Sequence, residues 1–182
     1  MTVADAVGAK QFTVVIDGST GTNVKQYLRS TPGGAWTAIG CMAQNAIPVA
    51  GGTSFGIFVK ESTSGKIITC AADAGANSGS GAFIAYRYTN QTTWLDSLSG
   101  FVNWSSFKNL DVSRIWFKIA YDGSSNLTFY VSVDSRYWYQ IGTTTISASF
   151  GGTAPDQLGV FFCNQVTSGA VHSALLIHWS VG

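Results

Sequence analysis

Residues Arg114 to Gly142 read RIWFKIAYDGSSNLTFYVSVDSRYWYQIG. Ile115, Phe117, Ile119 and Tyr121 alternate with Trp116, Lys118 and Ala120. Period two over this run predicts a strand with one face committed to a core. Asp122-Gly123-Ser124-Ser125-Asn126 breaks the pattern with residues that accept turn backbone angles. Leu127, Phe129, Val131 and Val133 then resume the alternation against Thr128, Tyr130 and Ser132, which completes a hairpin. A second turn at Asp134-Ser135-Arg136 leads into Tyr137-Trp138-Tyr139-Gln140-Ile141. Three consecutive strands make a meander, and nothing in it has helical period.

The same grammar extends outward. Phe12, Val14 and Ile16 alternate up to Asp17-Gly18, and Val24 to Arg29 reads as another short strand before the breaker Ser30-Thr31-Pro32-Gly33-Gly34. Ala43 to Thr53 is expected to be a loop. Phe55, Ile57 and Val59 alternate before the turn Ser62-Thr63-Ser64-Gly65, with Ile67 to Cys70 as the partner strand. Asp73 to Gly81 is low in complexity and expected to be a loop. Phe83 to Tyr88 is a strand with Tyr86 and Tyr88 on one side, Ala85 and Arg87 on the other. Asn90 to Asn109, with Trp94, Phe101, Trp104 and Phe107, is the least regular aromatic segment. Short strands punctuated by turns predict an all-β, antiparallel two-sheet sandwich. Residues 1–11 are expected to form an N-terminal arm and residues 12–182 a single sandwich domain.

Composition narrows the function classes. At 182 residues the chain suits one core. Only 10% of residues are charged while 13% are aromatic, which fits strands and a surface partly covered by other protein copies. The net charge is +1 with no basic run, so the electrostatic footprint of nucleic-acid binding is absent. No apolar run is long enough for a membrane span, and MTVADAVGAKQ does not read as a secretory signal. Cys41, Cys70 and Cys163 are odd in number and read as packed free thiols, pointing to synthesis in a reducing cytoplasm.

The meander also carries a resemblance. A strand with a D-G turn followed by F-x-V-S-x-D-x-x-x-W resembles the concanavalin A-like (laminin G-like) jelly-roll domains. Ala154-Pro155-Asp156-Gln157-Leu158-Gly159-Val160 is similar to a later strand of those domains, and Ala174 to Val181 to their closing strand. Ser54 to Val59 with Thr63 to Lys66 resembles an early hairpin. The resemblance spans roughly residues 36 to 182. Such domains occur in phage virion proteins, lectins and carbohydrate-active enzymes. It implies a jelly-roll sandwich with a short N-terminal extension. It also implies a virion surface protein, a capsid decoration (cement) protein or a tail-fibre or spike head, made in the host cytoplasm. Its partners would be other virion subunits and host-surface glycans, with a homotrimer favoured. A free carbohydrate-binding module or lectin is the alternative, and a glycosidase or lyase the third reading.

Catalysis finds little support. Glycoside hydrolysis needs two carboxylates flanking the scissile bond, whereas Glu61 is the one glutamate and stands beside a turn. The aspartates sit mostly beside glycine, serine or proline, where they cap turns. His172 and His178 lie in or beside the last strand, and no G-x-S-x-G elbow is present. Period two from Leu175, Ile177 and Trp179 puts His178 on the opposite face. No zinc spacing or D-x-D-x-D-G calcium loop appears, so no catalytic residue, metal or cofactor is expected. A calcium held by loop carbonyls leaves no sequence mark. N-x-S/T triplets at Asn90, Asn103 and Asn126 read as chance occurrences.

Aromatic rings stack on the C–H faces of sugars. Two clusters therefore stand as candidate glycan or partner contacts: Trp94 with Asn90, Gln91 and Asp96, and Tyr137, Trp138 and Tyr139 with Asp134, Arg136 and Gln140. Burial in the sandwich or in a subunit interface is the competing reading. Within Tyr137-Trp138-Tyr139, alternation predicts that Trp138 is the buried ring.

Overall fold

The structure is a computed structural model that describes residues 2–6, 9–15, 23–44, 53–77, 80–98, 102–103, 114–164 and 171–182. The strands in chain order are β1 (Thr2–Ala6), β2 (Ala9–Val15), β3 (Asn23–Ser30), β4 (Trp36–Gln44), β5 (Thr53–Lys60), β6 (Ile67–Asn77) and β7 (Ser80–Asn90). They continue with β8 (Thr93–Ser97), β9 (Val102–Asn103), β10 (Ile115–Tyr121), β11 (Asn126–Ser132) and β12 (Tyr139–Thr145). A single helical turn α1 (Ile146–Phe150) precedes β13 (Gln157–Asn164) and β14 (Val171–Val181). Every pairing among the described residues is antiparallel. The first sheet runs β1-β2-β14-β4-β10-β11-β12 and the second β3-β13-β5-β6-β7-β8, with β9 also on β7.

The meander folds as its periodicity predicts. Phe117, Ile119, Phe129 and Val131 point inward and are fully or almost fully buried. Trp116, Lys118 and Tyr130 point outward and are half-buried. From the second sheet, Phe55, Ile57, Val59, Leu158, Val160 and Phe162 complete the core between the layers. Phe55 meets Phe117 edge to face across that core, ring centroids 6.0 Å apart. Each such buried ring contributes up to roughly 3 kcal/mol of transfer free energy. Gly40 marks a close approach of the sheets, because a Cβ there would stand 2.8 Å from Ile57 Cγ2.

The second sheet departs from simple alternation. On the face turned away from the first sheet, Phe58, Phe161, Ile84, Tyr86 and Tyr88 form a second buried cluster. At one end the sheet closes on itself: the Val24 amide on β3 donates to the Gln91 carbonyl after β7 (2.9 Å). Gln91 Nε2 donates to Gln26 Oε1 (3.1 Å). In a flat sheet β3 and β7, four strands apart, would stand ~19 Å apart. The sheet therefore curls over its outer face until its margins meet. A sheet buried on both faces needs apolar residues at both parities, as Phe55-Gly56-Ile57-Phe58-Val59 and Val160-Phe161-Phe162-Cys163 supply.

Four expectations are corrected. The segment Asp73 to Gly81 is not a loop up to its tip: β6 and β7 run through it, with Asn77 opposite Ser80. Ala71 and Ala72, just before the segment, and Asp73 at its start are buried. The supposed N-terminal arm, residues 1–11, contains β1 and the start of β2, and β2 crosses the boundary drawn at residue 12. Unpaired backbone groups at the edge of β14 offered those residues partners. In β14 a bulge between Leu176 and His178 shifts the phase. Ala174 and Leu176 pack on the core before it, Trp179 and Val181 after it. His178 does point outward, but the inward row is not Leu175–Ile177–Trp179. Finally, Trp138 is half-buried on the outer surface rather than buried within the sandwich. The Asp17-Gly18 turn, residues 45–52 of the predicted loop, and Phe101, Trp104 and Phe107 lie outside the described residues.

Candidate functional site

The turn after β11 is built around two side chains. Ser132 Oγ accepts from the amides of Asp134 (3.2 Å) and Ser135 (2.9 Å) and donates to Asp134 Oδ1 (3.0 Å). That carboxylate oxygen accepts from the Arg136 and Tyr137 amides at 2.9 and 3.0 Å. The Tyr137 and Arg136 amides hold the Asp134 carboxyl below its ordinary pKa. Ser135 takes a left-handed φ of 63°, so the chain reverses sharply and projects Arg136 and Tyr137 outward. Tyr137 is 83% exposed and Tyr139 55% exposed, and Arg136 is exposed. Asp134 thus orders the turn, while the rings on it face solvent.

In the other predicted cluster two polar side chains are engaged in hydrogen bonds. Asn90 Oδ1 accepts from the amide and hydroxyl of Thr92 (2.9 and 3.0 Å) and closes the β7–β8 turn. Asp96 is held bidentately by Arg87 Nε and Nη2. Trp94 stays open at 48% exposure, beside Leu95 at 49%. β12 of the first sheet packs against β7 of the second, and β7 carries β8. Trp94, opposite Tyr88 near the β7–β8 turn, and Tyr139, opposite Val131 after the Asp134 turn, are two separate exposed aromatic sites.

Glu61 is buried in the β5–β6 turn. Its two carboxylate oxygens accept from the amides of Thr63 (2.9 Å) and Ser64 (2.7 Å). Hydrogen bonds from Ser64 and Thr63 pull its pKa down to about 2. An ionised, fully engaged carboxylate of this kind cannot deliver a proton near neutral pH. Asp156 is engaged likewise by the amide and hydroxyl of Ser62, and Asp122 by the amides of Ser124, Ser125 and Asn126. Among the described residues no group of His, Cys, Asp and Glu is arranged to hold a metal ion.

In a third aromatic group only Trp138 was singled out by sequence. On the outer face of the first sheet Lys118 Nζ lies 4.2 Å from the centroid of Tyr130 and 4.4 Å from that of Trp138. Next to it the rings of Trp116 and His178 approach to 5.4 Å. Both residues pair with Cys41, from opposite sides. Strands separated by one neighbour stand ~9.6 Å apart, so the rings lean together above Cys41. That thiol is completely buried, and burial pushes its pKa up to about 11 against the opposing charge of Arg114. Trp116, Lys118 and Tyr130 were legible as one face from alternation. His178 joined them only through the bulge.

No family model matches this sequence, and no curated protein matches it either. Solved structures do match in fold. One is a GH43 glycoside hydrolase engineered to display endo-xylanase and exo-arabinofuranosidase activity (TM-score 0.65, 12% identity), matched over 100% of this chain and 36% of that one. Another is the CBM2 module of the evolved Dit of Lactobacillus casei BL23 phage J-1 (TM-score 0.61, 14% identity), over 100% of this chain and 77% of that one. A third is lectin II from Ulex europaeus (TM-score 0.56, 14% identity), over 97% and 87%. The chain spans about a third of the hydrolase, 36% of its length. The fold is thus an antiparallel β-sandwich of the concanavalin A-like, legume-lectin-like kind. At these identities the likeness extends to fold alone, and it is shared by enzymes and non-enzymes.

Proposed function

We propose that this chain is a non-catalytic, carbohydrate-contacting surface module of a phage virion, docked on other virion subunits as part of a homo-oligomer, with a trimer favoured. The observation that carries the carbohydrate part is the exposure of three rings, Tyr137 at 83%, Tyr139 at 55% and Trp94 at 48%. A protein normally buries such rings, and rings displayed on hydrogen-bonded turns are preorganised to stack on sugars. The engaged state of Glu61, Asp156 and Asp122 supports a binding rather than a hydrolytic role. The match of the whole chain to a module of a phage Dit protein supports the virion setting, as does a charged fraction of only 10%. A head decoration protein and a tail-fibre or spike head both fit this reading.

A glycan array probed with the full chain tests the first half. Binding that Tyr137→Ala abolishes while the circular dichroism spectrum stays unchanged is the expected result. No binding to any glycan would overturn it. Light scattering at two concentrations tests the second half. A stable trimer is expected, whereas a glycan-binding monomer would favour the free lectin or carbohydrate-binding module, a reading that the likeness to lectin II also supports.

A further inference from the structure

Around Lys118 the outer face of the first sheet carries cations and rings, and among the described residues no carboxylate pairs with them. Strands β4, β10, β11, β12 and β14 contain no aspartate or glutamate. Lys118 meets two aromatic rings and no carboxylate among the described residues. Its neighbours on that face are Arg114, whose charge is felt at Cys41, and the exposed imidazole of His178, whose Nε2 lies 3.1 Å from Ser180 Oγ. Rings around an ammonium orient it but do not neutralise it. Burial of the ammonium lowers the Lys118 pKa, the cost of a partly desolvated charge whose partner is missing. A surface built this way is complementary to a ligand with two features: flat C–H faces for Trp116, Tyr130 and Trp138, and an anion for Lys118. Trp138 comes directly after Tyr137, so the face adjoins the exposed turn that carries Tyr137.

We propose that this face, centred on Lys118 between Tyr130 and Trp138 and extended by Trp116 and His178, binds glycans that carry an anionic group. The inference rests on the carbohydrate reading and adds the ligand class and a location on the sheet itself. The anion is a sugar carboxylate or a sugar phosphate, since Lys118 recognises either as a point charge.

The test titrates the full chain with an oligogalacturonate, its neutral methyl ester and a glycerol-phosphate-bearing glycan. Charge-assisted contacts predict that at least one acidic ligand binds about ten- to a hundredfold tighter than the ester. Which one does so identifies the source of the anion. Lys118→Met should erase the preference, Lys118→Arg should keep most of it, and added salt should weaken acid binding alone. In NMR spectra the indole N–H signals of Trp116 and Trp138 should move with the acidic ligand, a readout that does not depend on how well the variants fold. Equal binding of acid and ester, or an acid preference that survives Lys118→Met, would overturn the inference. If neutral glycans bind in a Tyr137-dependent way without any acid preference, the carbohydrate reading stands and this inference fails. If no glycan binds, both fail. A concentration-dependent dimer that Lys118→Met dissolves would assign the face to a second copy of the chain, against the inference.

Discussion

Replacing Trp116 by alanine should turn an inert cysteine into a reactive one. The Trp116 and His178 rings close over Cys41, and the thiol is held at a pKa of about 11 against an ordinary value of 9.0. The thiolate is the reacting species. At a pH near 8, lowering the pKa back toward its ordinary value raises the thiolate fraction up to about a hundredfold. Arg114 then acts in the same direction, because its charge already favours the ionised thiol. The cost in stability should stay below the ~3–5 kcal/mol of a fully buried tryptophan, since Trp116 is only half-buried. The assay is the rate of maleimide labelling at each cysteine, read by peptide mass spectrometry in folded wild-type and variant protein. Cys70 and Cys163, buried elsewhere, are internal references that should label slowly in both. Equal Cys41 rates in wild type and variant would refute the ring-lid geometry. So would wild-type labelling as fast as in urea.

Gly56→Ala should be among the most damaging small changes. Gly56 has φ 155°, and its Cβ would lie 2.1 Å from the Cys70 carbonyl oxygen. Parting β5 from β6 should cost at least ~3 kcal/mol in urea unfolding, while Gly33→Ala, with nothing within 4 Å, should stay within about 0.5 kcal/mol of wild type. Acid stability should depend on Glu61. Its folded pKa of about 2 lies below the ordinary 4.5, so the stability that it contributes is fully present above about 4.5 and is lost as the pH falls toward about 2. Thermal melts across that window should fall less steeply for Glu61→Gln than for wild type. The slope should not vanish, because Asp122 and Asp134 are also held low by backbone amides. An unchanged slope would mean that the Glu61 turn is already formed in the unfolded chain.

Local information carried the meander. Ile115 to Val131 obey period two because one sheet face is wet and one is dry, and Asp122 and Asp134 stand where turns need their carboxylates. The second sheet was harder to read because it is buried on both faces. In Phe55-Gly56-Ile57-Phe58-Val59, Phe58 breaks the alternation for a reason that lies in the curl of a sheet whose margins come from Val24 and Gln91. The end of β6 and the start of β7 were hidden by composition, since small residues such as alanine and glycine signal a loop locally. The candidate site was half legible. Tyr137 and Tyr139 follow a turn whose exposure could be read locally, whereas the Arg87–Asp96 pair forms across two strands and leaves no local mark. His178 met Trp116 through a bulge that no spacing rule announces. Trp138 stands outside the core, where Lys118 on β10 meets its ring.

The curled second sheet also shapes how this molecule can drift or be redesigned. A strand with one wet face leaves every other position free to vary, but strands with two dry faces leave almost none, so substitutions in β5, β6, β7 and β13 will be filtered hard. Variation is then channelled to the outward positions of β10 and β11 and to the Arg136–Tyr137 tip, where side chains stand clear of both cores. A library built on those positions would explore new recognition surfaces while the rest of the chain keeps its shape.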